Sequence, residues 1–123
     1  MSSPIKTKTE RDGAVERIIL AQPKGNILDA VMLAALREKV LSLASRPEVK
    51  LLVFEGEGKH FSFGASVEEH MPESVGEMLS SFHGLFRDIE SIGIPTAAVV
   101  RGQCLGGGFE LATWCGWVCC DSS

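Results

Sequence analysis

Two stretches of β-type residues, 5–11 and 14–20, flank Asp12-Gly13 near the start of the chain. Asp-Gly supplies the positive φ angles of a two-residue hairpin turn, so the pattern predicts an N-terminal hairpin. Residues 21–28 carry Pro23 and Gly25 and lead to Asp29, whose carboxylate suits the N-cap of a following helix. Leu33, Leu36, Val40 and Leu43 recur at three- and four-residue intervals and share one helical face, while Arg37, Glu38 and Lys39 are expected to project toward solvent. Arg46-Pro47 ends that helix. The nearly continuous apolar run 49–54 then reads as a strand covered on both faces. After a glycine-containing loop, Met71-Pro72 opens a second amphipathic helix, with Val75, Leu79, Phe82, Phe86 and Ile89 on its buried face and Gly93 and Pro95 closing it. Residues 96–100 form another buried strand, residues 109–114 a helix, and residues 117–120 the beginning of a further strand. Strands alternating with helices predict an α/β fold in one domain over residues 1–123, with a mostly parallel sheet. Ligands of such sheets bind outside the C-terminal ends of the strands, where both glycine-rich loops lie.

Composition narrows the function classes. The 123 residues are 45% hydrophobic and 23% charged, which permits a packed core and excludes disorder and collagen-like repetition. Twelve Lys and Arg against sixteen Asp and Glu, with no dense basic run, give no footprint for nucleic acid or an anionic membrane. No apolar run reaches the ~18 to 20 residues that span a bilayer, and residues 1–10 have no hydrophobic signal core, so a cytoplasmic location is expected. All four cysteines, Cys104, Cys115, Cys119 and Cys120, fall in the last twenty residues. That is no disulfide framework, and without C-x-x-C spacing or a nearby histidine it predicts no metal site.

Candidate chemistry centres on two loops, residues 58–70 and 102–110. The triple glycine Gly106-Gly107-Gly108 opens a helix, leaving N–H groups without partners and a backbone that a ligand can approach closely. A phosphate-binding Walker loop would end in Gly-Lys-Ser/Thr, and a dinucleotide fingerprint would need glycine where Leu111 stands. Two alternatives stand. One is an oxyanion hole, with an N–H from each loop converging on a carbonyl oxygen that gains charge; the other is a packing device, since glycine-rich strand-to-helix turns are common. Glu110 is open in the same way. Either it is a first-turn carboxylate stabilised by the helix dipole, or its apolar neighbours Phe109, Leu111, Ala112 and Trp114 bury it and raise its pKa toward a range useful for proton transfer. His60, His70 and His83 share no triad-like spacing with a nucleophile and read as surface or structural residues.

Three blocks, Gln22 to Asp29 (QPKGNILD), Phe61 to Ser66 (FSFGAS) and Arg101 to Ala112 (RGQCLGGGFELA), resemble the enoyl-CoA hydratase/isomerase (crotonase) superfamily in order and spacing. Within it, FSFGASVEEHMP and RGQCLGGGFELA look most like the cyclohexa-1,5-diene-1-carboxyl-CoA hydratases of anaerobic benzoyl-CoA degradation. The resemblance implies the N-terminal part of a crotonase-like ββα spiral. It also implies a hydratase that adds water to an α,β-unsaturated, cyclic dienoyl-CoA thioester, with the thioester as substrate and no resident cofactor.

By that resemblance Ala65 and Gly107 supply the two N–H donors to the thioester oxygen, and Glu110 is one of two glutamates that position and activate water. Phe63, Gly64, Ala65, Ser66 and Val67 lie along the CoA chain, Gly106 flanks the second donor, and Lys24 and Gly25 lie near the CoA nucleotide end. The intact family members form homotrimers or hexamers. Ser66 stands where many relatives have aspartate, and the family's later Gly-x-Pro-Glu segment, which holds the second glutamate, has no counterpart in these residues. The alternative is a truncated relative that binds acyl-CoA or a partner subunit without turnover.

Overall fold

The computed structural model describes residues 3–23, 25–64, 75–104 and 106–120. Its five-stranded sheet has the order β1-β2-β3-β4-β5. Strands β1 (Ile5–Glu10) and β2 (Val15–Leu20) form the antiparallel hairpin, with Ile5 opposite Leu20 and Glu10 opposite Val15. Strands β3 (Leu51–Gly56), β4 (Thr96–Val100) and β5 (Trp117–Cys120) each run parallel to the strand before. The hairpin forms, but its connection is wider than the two-residue turn expected: the strands stop at Glu10 and resume at Val15, Arg11 (φ 56°), Asp12 (φ 56°, ψ 36°) and Gly13 (φ 91°) are all left-handed, and Ala14 N–H donates to the Arg11 carbonyl at 3.1 Å.

Helix α1 (Ala30–Ser42) starts where Asp29 accepts a hydrogen bond from Met32 N–H at 2.9 Å, the capping geometry its position predicts. Leu33, Leu36 and Val40 are buried, as is Leu43 in the short 3-10 turn that follows. Helix α2 (Val75–Ile92) buries Phe82, Leu85, Phe86 and Ile89. Leu79 departs from expectation, being 48% exposed. Gly76 and Ser80 are exposed as well, so the first turns of α2 reach past the packed layer that its apolar stripe meets further on. Met71-Pro72 and the Val75 side chain lie outside what is described. Helix α3 (Gly106–Trp114) begins at the glycines rather than at Phe109.

One core joins these elements. Ile18, Leu20, Leu52, Phe54, Ala98 and Val100, from one face of the sheet, meet Leu33 and Leu36 of α1, Phe82, Leu85 and Phe86 of α2, and Leu111 and Ala112 of α3. Val53 points the other way and is also buried, so the middle of β3 is covered on both faces as its unbroken apolar run requires.

Of the three residues expected to face solvent on α1, only Glu38 does so freely. Arg37 Nε donates to Asp88 at 2.8 Å, and Lys39 Nζ lies 2.7 Å from Glu16. Glu16 is 1% exposed and also receives Arg46 Nη1 at 2.8 Å and the Thr9 hydroxyl at 2.6 Å. Burial pushes the Glu16 carboxyl up, but the hydrogen bonds from Lys39, Thr9 and Arg46 together outweigh it and hold the group below its ordinary 4.5. A depressed folded-state value means stability that is fully present above pH 4.5 and is lost as pH falls through the folded value. Glu16→Gln is therefore expected to lower stability by about 2 kcal/mol at neutral pH, since its cationic partners are partly exposed. Denaturant titrations should find this difference shrinking below pH 4.5; a constant difference down to low pH would contradict the assignment.

Candidate active site

Three segments meet beyond the C-terminal ends of β2, β3 and β4, and hydrogen bonds knit them together. Phe61 N–H and Ser62 N–H both donate to the Gln103 carbonyl, at 3.1 and 3.2 Å, and Gln103 N–H returns a bond to His60 Nδ1 at 2.9 Å. Ser62 and Cys104 form an isolated parallel bridge. The two glycine loops thus run side by side as an extension of the β3–β4 pairing. Block 22–28 closes the third side, where Phe63 N–H donates to the Gly25 carbonyl at 2.8 Å and Leu28 N–H to the Gly64 carbonyl at 2.8 Å. Asn26 Nδ2 donates to the carbonyls of His60 and Phe61, at 3.2 and 3.0 Å.

Two glycines are required by this close approach. A Cβ on Gly108 would lie 2.6 Å from Ser62 Cβ and 2.9 Å from its hydroxyl, so α3 can lie against the first loop only because Gly108 has no side chain. Gly102 has φ +63°, and a Cβ there would run into the Lys59 carbonyl oxygen and His60 Nδ1. Left-handed strain and a backbone collision with no flexible escape together predict that Gly102→Ala destabilises the fold by about 3 kcal/mol. A thermal-unfolding comparison with wild type measures this; an unchanged midpoint would show that the loops can separate without loss.

Of the residues assigned a role from sequence, Gly25, Phe63, Gly64, Gly106, Gly107 and Glu110 are described, while Lys24, Ala65, Ser66 and Val67 lie outside the described residues. Gly25 (φ 97°) packs directly under the Phe63 ring, which is 39% exposed and 5.1 Å from the His60 ring. Beside them an open cleft of about 220 Å³ is lined by Gln22, Pro23, Asn26, Glu57, Lys59 and His60 among others. Gly107 is the second residue of α3, so its N–H belongs to the four that a helix leaves without an intrahelical acceptor.

Glu110 differs from both readings of the sequence. It is exposed rather than buried, because residues adjacent in a helical sequence point in different directions. The inward face of α3 is Gly108, Leu111 and Ala112, continued by Cys115 just past its end, and Glu110 projects away from it. Nor does it stand in the first turn, which now belongs to the glycines.

His60 serves structurally by joining the loops, His83 is exposed, and His70 lies outside the described residues. The four cysteines are free; burial pushes the Cys115 thiol up to about 11. Among the described residues no group of three or more His, Cys, Asp or Glu could hold a metal ion, and no helix is long and apolar enough to cross a membrane. Sequence reasoning missed Asn26 and Gln103 and the part played by Ser62. The one local signal was Asn26 in a Pro/Gly turn, since asparagine is among the few residues that accept its left-handed φ of 51°.

Comparison with known proteins gives the family and the fold. Residues 10–123 match the family model described as Enoyl-CoA hydratase/isomerase. The chain is 49% identical over 111 residues to cyclohexa-1,5-dienecarbonyl-CoA hydratase of Thauera aromatica, covering 90% of this chain and 43% of that protein. It is 34% identical over 116 residues to carnitinyl-CoA dehydratase of Salmonella enteritidis, covering 89% and 43%. The crystal structure of an enoyl-CoA hydratase/isomerase from Xanthobacter autotrophicus superposes with a TM-score of 0.84 at 28% identity, over 98% of this chain and 46% of that one. The chain thus spans less than half the length of these relatives. With its α/β spiral segment, its two joined glycine loops and a family match over nearly all its residues, the chain belongs to the enoyl-CoA hydratase/isomerase (crotonase) family.

Proposed function

We propose that this chain carries the oxyanion-hole half of a hydratase site acting on an unsaturated CoA thioester. The observation that supports it most is the joining of the 61–64 loop to the start of α3 through Ser62, Gln103 and the side-chain-free Gly108. That arrangement brings two backbone segments, each able to donate an N–H, to one place at the C-terminal ends of adjacent parallel strands.

In this reading the N–H groups of Ala65 and Gly107 donate to the thioester oxygen. Water attacks a carbon conjugated with the thioester carbonyl, the π electrons move onto that oxygen as an enolate, and the two donors hold the charge. The enolate collapses as a proton is returned to carbon. Glu110 orients the attacking water and exchanges protons with it, sharing the work with a second carboxylate. Phe63, Gly64, Ser66, Val67 and Gly106 border the acyl and pantetheine portion. Lys24, Gly25 and the adjoining cleft take the nucleotide end. The identity to the Thauera hydratase supports a cyclic dienoyl group as the substrate, and family membership supports a homotrimer or hexamer as the assembly of the full-length protein.

The test is a hydration assay with cyclohexa-1,5-diene-1-carboxyl-CoA and crotonyl-CoA side by side. Faster turnover of the cyclic dienoyl thioester is expected. Preference for crotonyl-CoA would overturn the acyl assignment, and binding of both thioesters without hydration would leave an acyl-CoA-binding relative.

A further inference from the structure

Asn26 and Ser62 are buried, at 3% and 0% exposure, and they touch each other although 36 positions apart. The Ser62 hydroxyl donates to the Asn26 carbonyl at 2.8 Å and accepts from Gly64 N–H at 3.0 Å. Asn26 Nδ2 spans two successive carbonyls, His60 and Phe61, while its Oδ1 accepts from Gln22 N–H at 2.9 Å. The donors and acceptors of this pair are thereby taken up within the protein, and neither side chain is left to meet a ligand.

Together with Leu28 the pair brackets the backbone at Gly64. The N–H of Gly64 is held by the Ser62 hydroxyl and its carbonyl by Leu28 N–H at 2.8 Å, and Leu28 lies two residues beyond Asn26, whose side chain ties that block to the carbonyls of His60 and Phe61. A peptide unit is planar, so holding Gly64 at both its N–H and its carbonyl limits rotation of the plane that follows it. The plane that leaves Gly64 is the one that covalently includes the nitrogen of Ala65. Gly64 itself, at φ +100°, has no side chain to restrain it. Oxyanion donors act only within a narrow range of distance and direction, so a modest rotation of this plane would disable one of them.

We infer that Asn26 and Ser62 are positioning residues that aim the peptide plane following Gly64 at the thioester oxygen. This rests on the oxyanion-hole reading above. The pair acts through Gly64 and is not itself catalytic.

The experiment uses butyryl-CoA carrying carbon-13 at the thioester carbonyl, a saturated ligand that cannot be hydrated, and reads its infrared carbonyl band when bound. Wild type should shift the band to lower wavenumber. Ser62→Ala should lose half or more of that shift, and so should Asn26→Gly, which removes the side chain yet keeps the left-handed backbone. Ser62→Cys, similar in volume but a weaker partner, should retain an intermediate shift, and it gives the reading where Ser62→Ala does not fold. A merely structural role would alter unfolding midpoints and leave the band of the folded, ligand-bound variant where it is in wild type. That result in any folded variant overturns the inference while leaving the oxyanion reading intact. A wild-type band that does not move overturns both.

Discussion

Replacing Gly107 with proline is expected to slow hydration of the thioester substrate by about two to three orders of magnitude, the usual consequence of losing one oxyanion donor. The substitution is selective because of where α3 begins. Gly107 is the second residue of that helix, and its N–H has no intrahelical acceptor, so removing it breaks no bond of the helical ladder. Proline's fixed φ suits the first helical turn, and α3 should form as before. Gly107→Ala is the control for bulk, since it adds a Cβ while keeping the N–H. The measurement is the turnover rate of both variants alongside circular dichroism. Undiminished turnover by a folded Gly107→Pro protein would remove this residue from the proposed mechanism.

The position of α3 also shows what the sequence could and could not disclose. Pattern reading places the helix start at Phe109 because three consecutive glycines are poor helix formers, each disfavoured by about 1 kcal/mol relative to alanine. Tertiary structure overrides that preference, since Gly108 must lie against Ser62 and only a residue without a side chain fits. The Asp29 cap, the α1 stripe and the hairpin at Asp12-Gly13 were legible because each is decided within a few residues by local geometry. The Glu16 cluster was not. It joins a strand to Lys39 and Arg46, and no short-range pattern reports a partner so far along the chain.

The same division runs through the candidate site. Its glycines were readable as motif, because a ligand or a backbone at close range excludes side chains whatever the partner. The clasp of Asn26, Ser62 and Gln103 consists of bonds between segments remote in sequence, and its members look individually ordinary. Glu110 was misjudged for a related reason. Its apolar neighbours in sequence say little about its surroundings, whereas Leu111 and Ala112 turning inward carry it outward.

That outward placement makes Glu110→Gln the most selective test of the proposed acid–base step. The change keeps the side chain's shape and removes its capacity to accept and return a proton. Because Glu110 is exposed, stability should stay within about 0.5 kcal/mol of wild type. The hydration rate should nevertheless fall by about two to four orders of magnitude, the range of a positioned general acid or base. The loss belongs in kcat rather than in KM, since the carboxylate is asked to act on water and not to hold the CoA portion. The two variants should also separate spectroscopically: a bound labelled butyryl-CoA keeps its lowered carbonyl frequency in Glu110→Gln and loses most of it in Gly107→Pro. Turnover near the wild-type rate in Glu110→Gln would assign the proton transfer to another group and leave Glu110 a solvated residue on the outer face of α3.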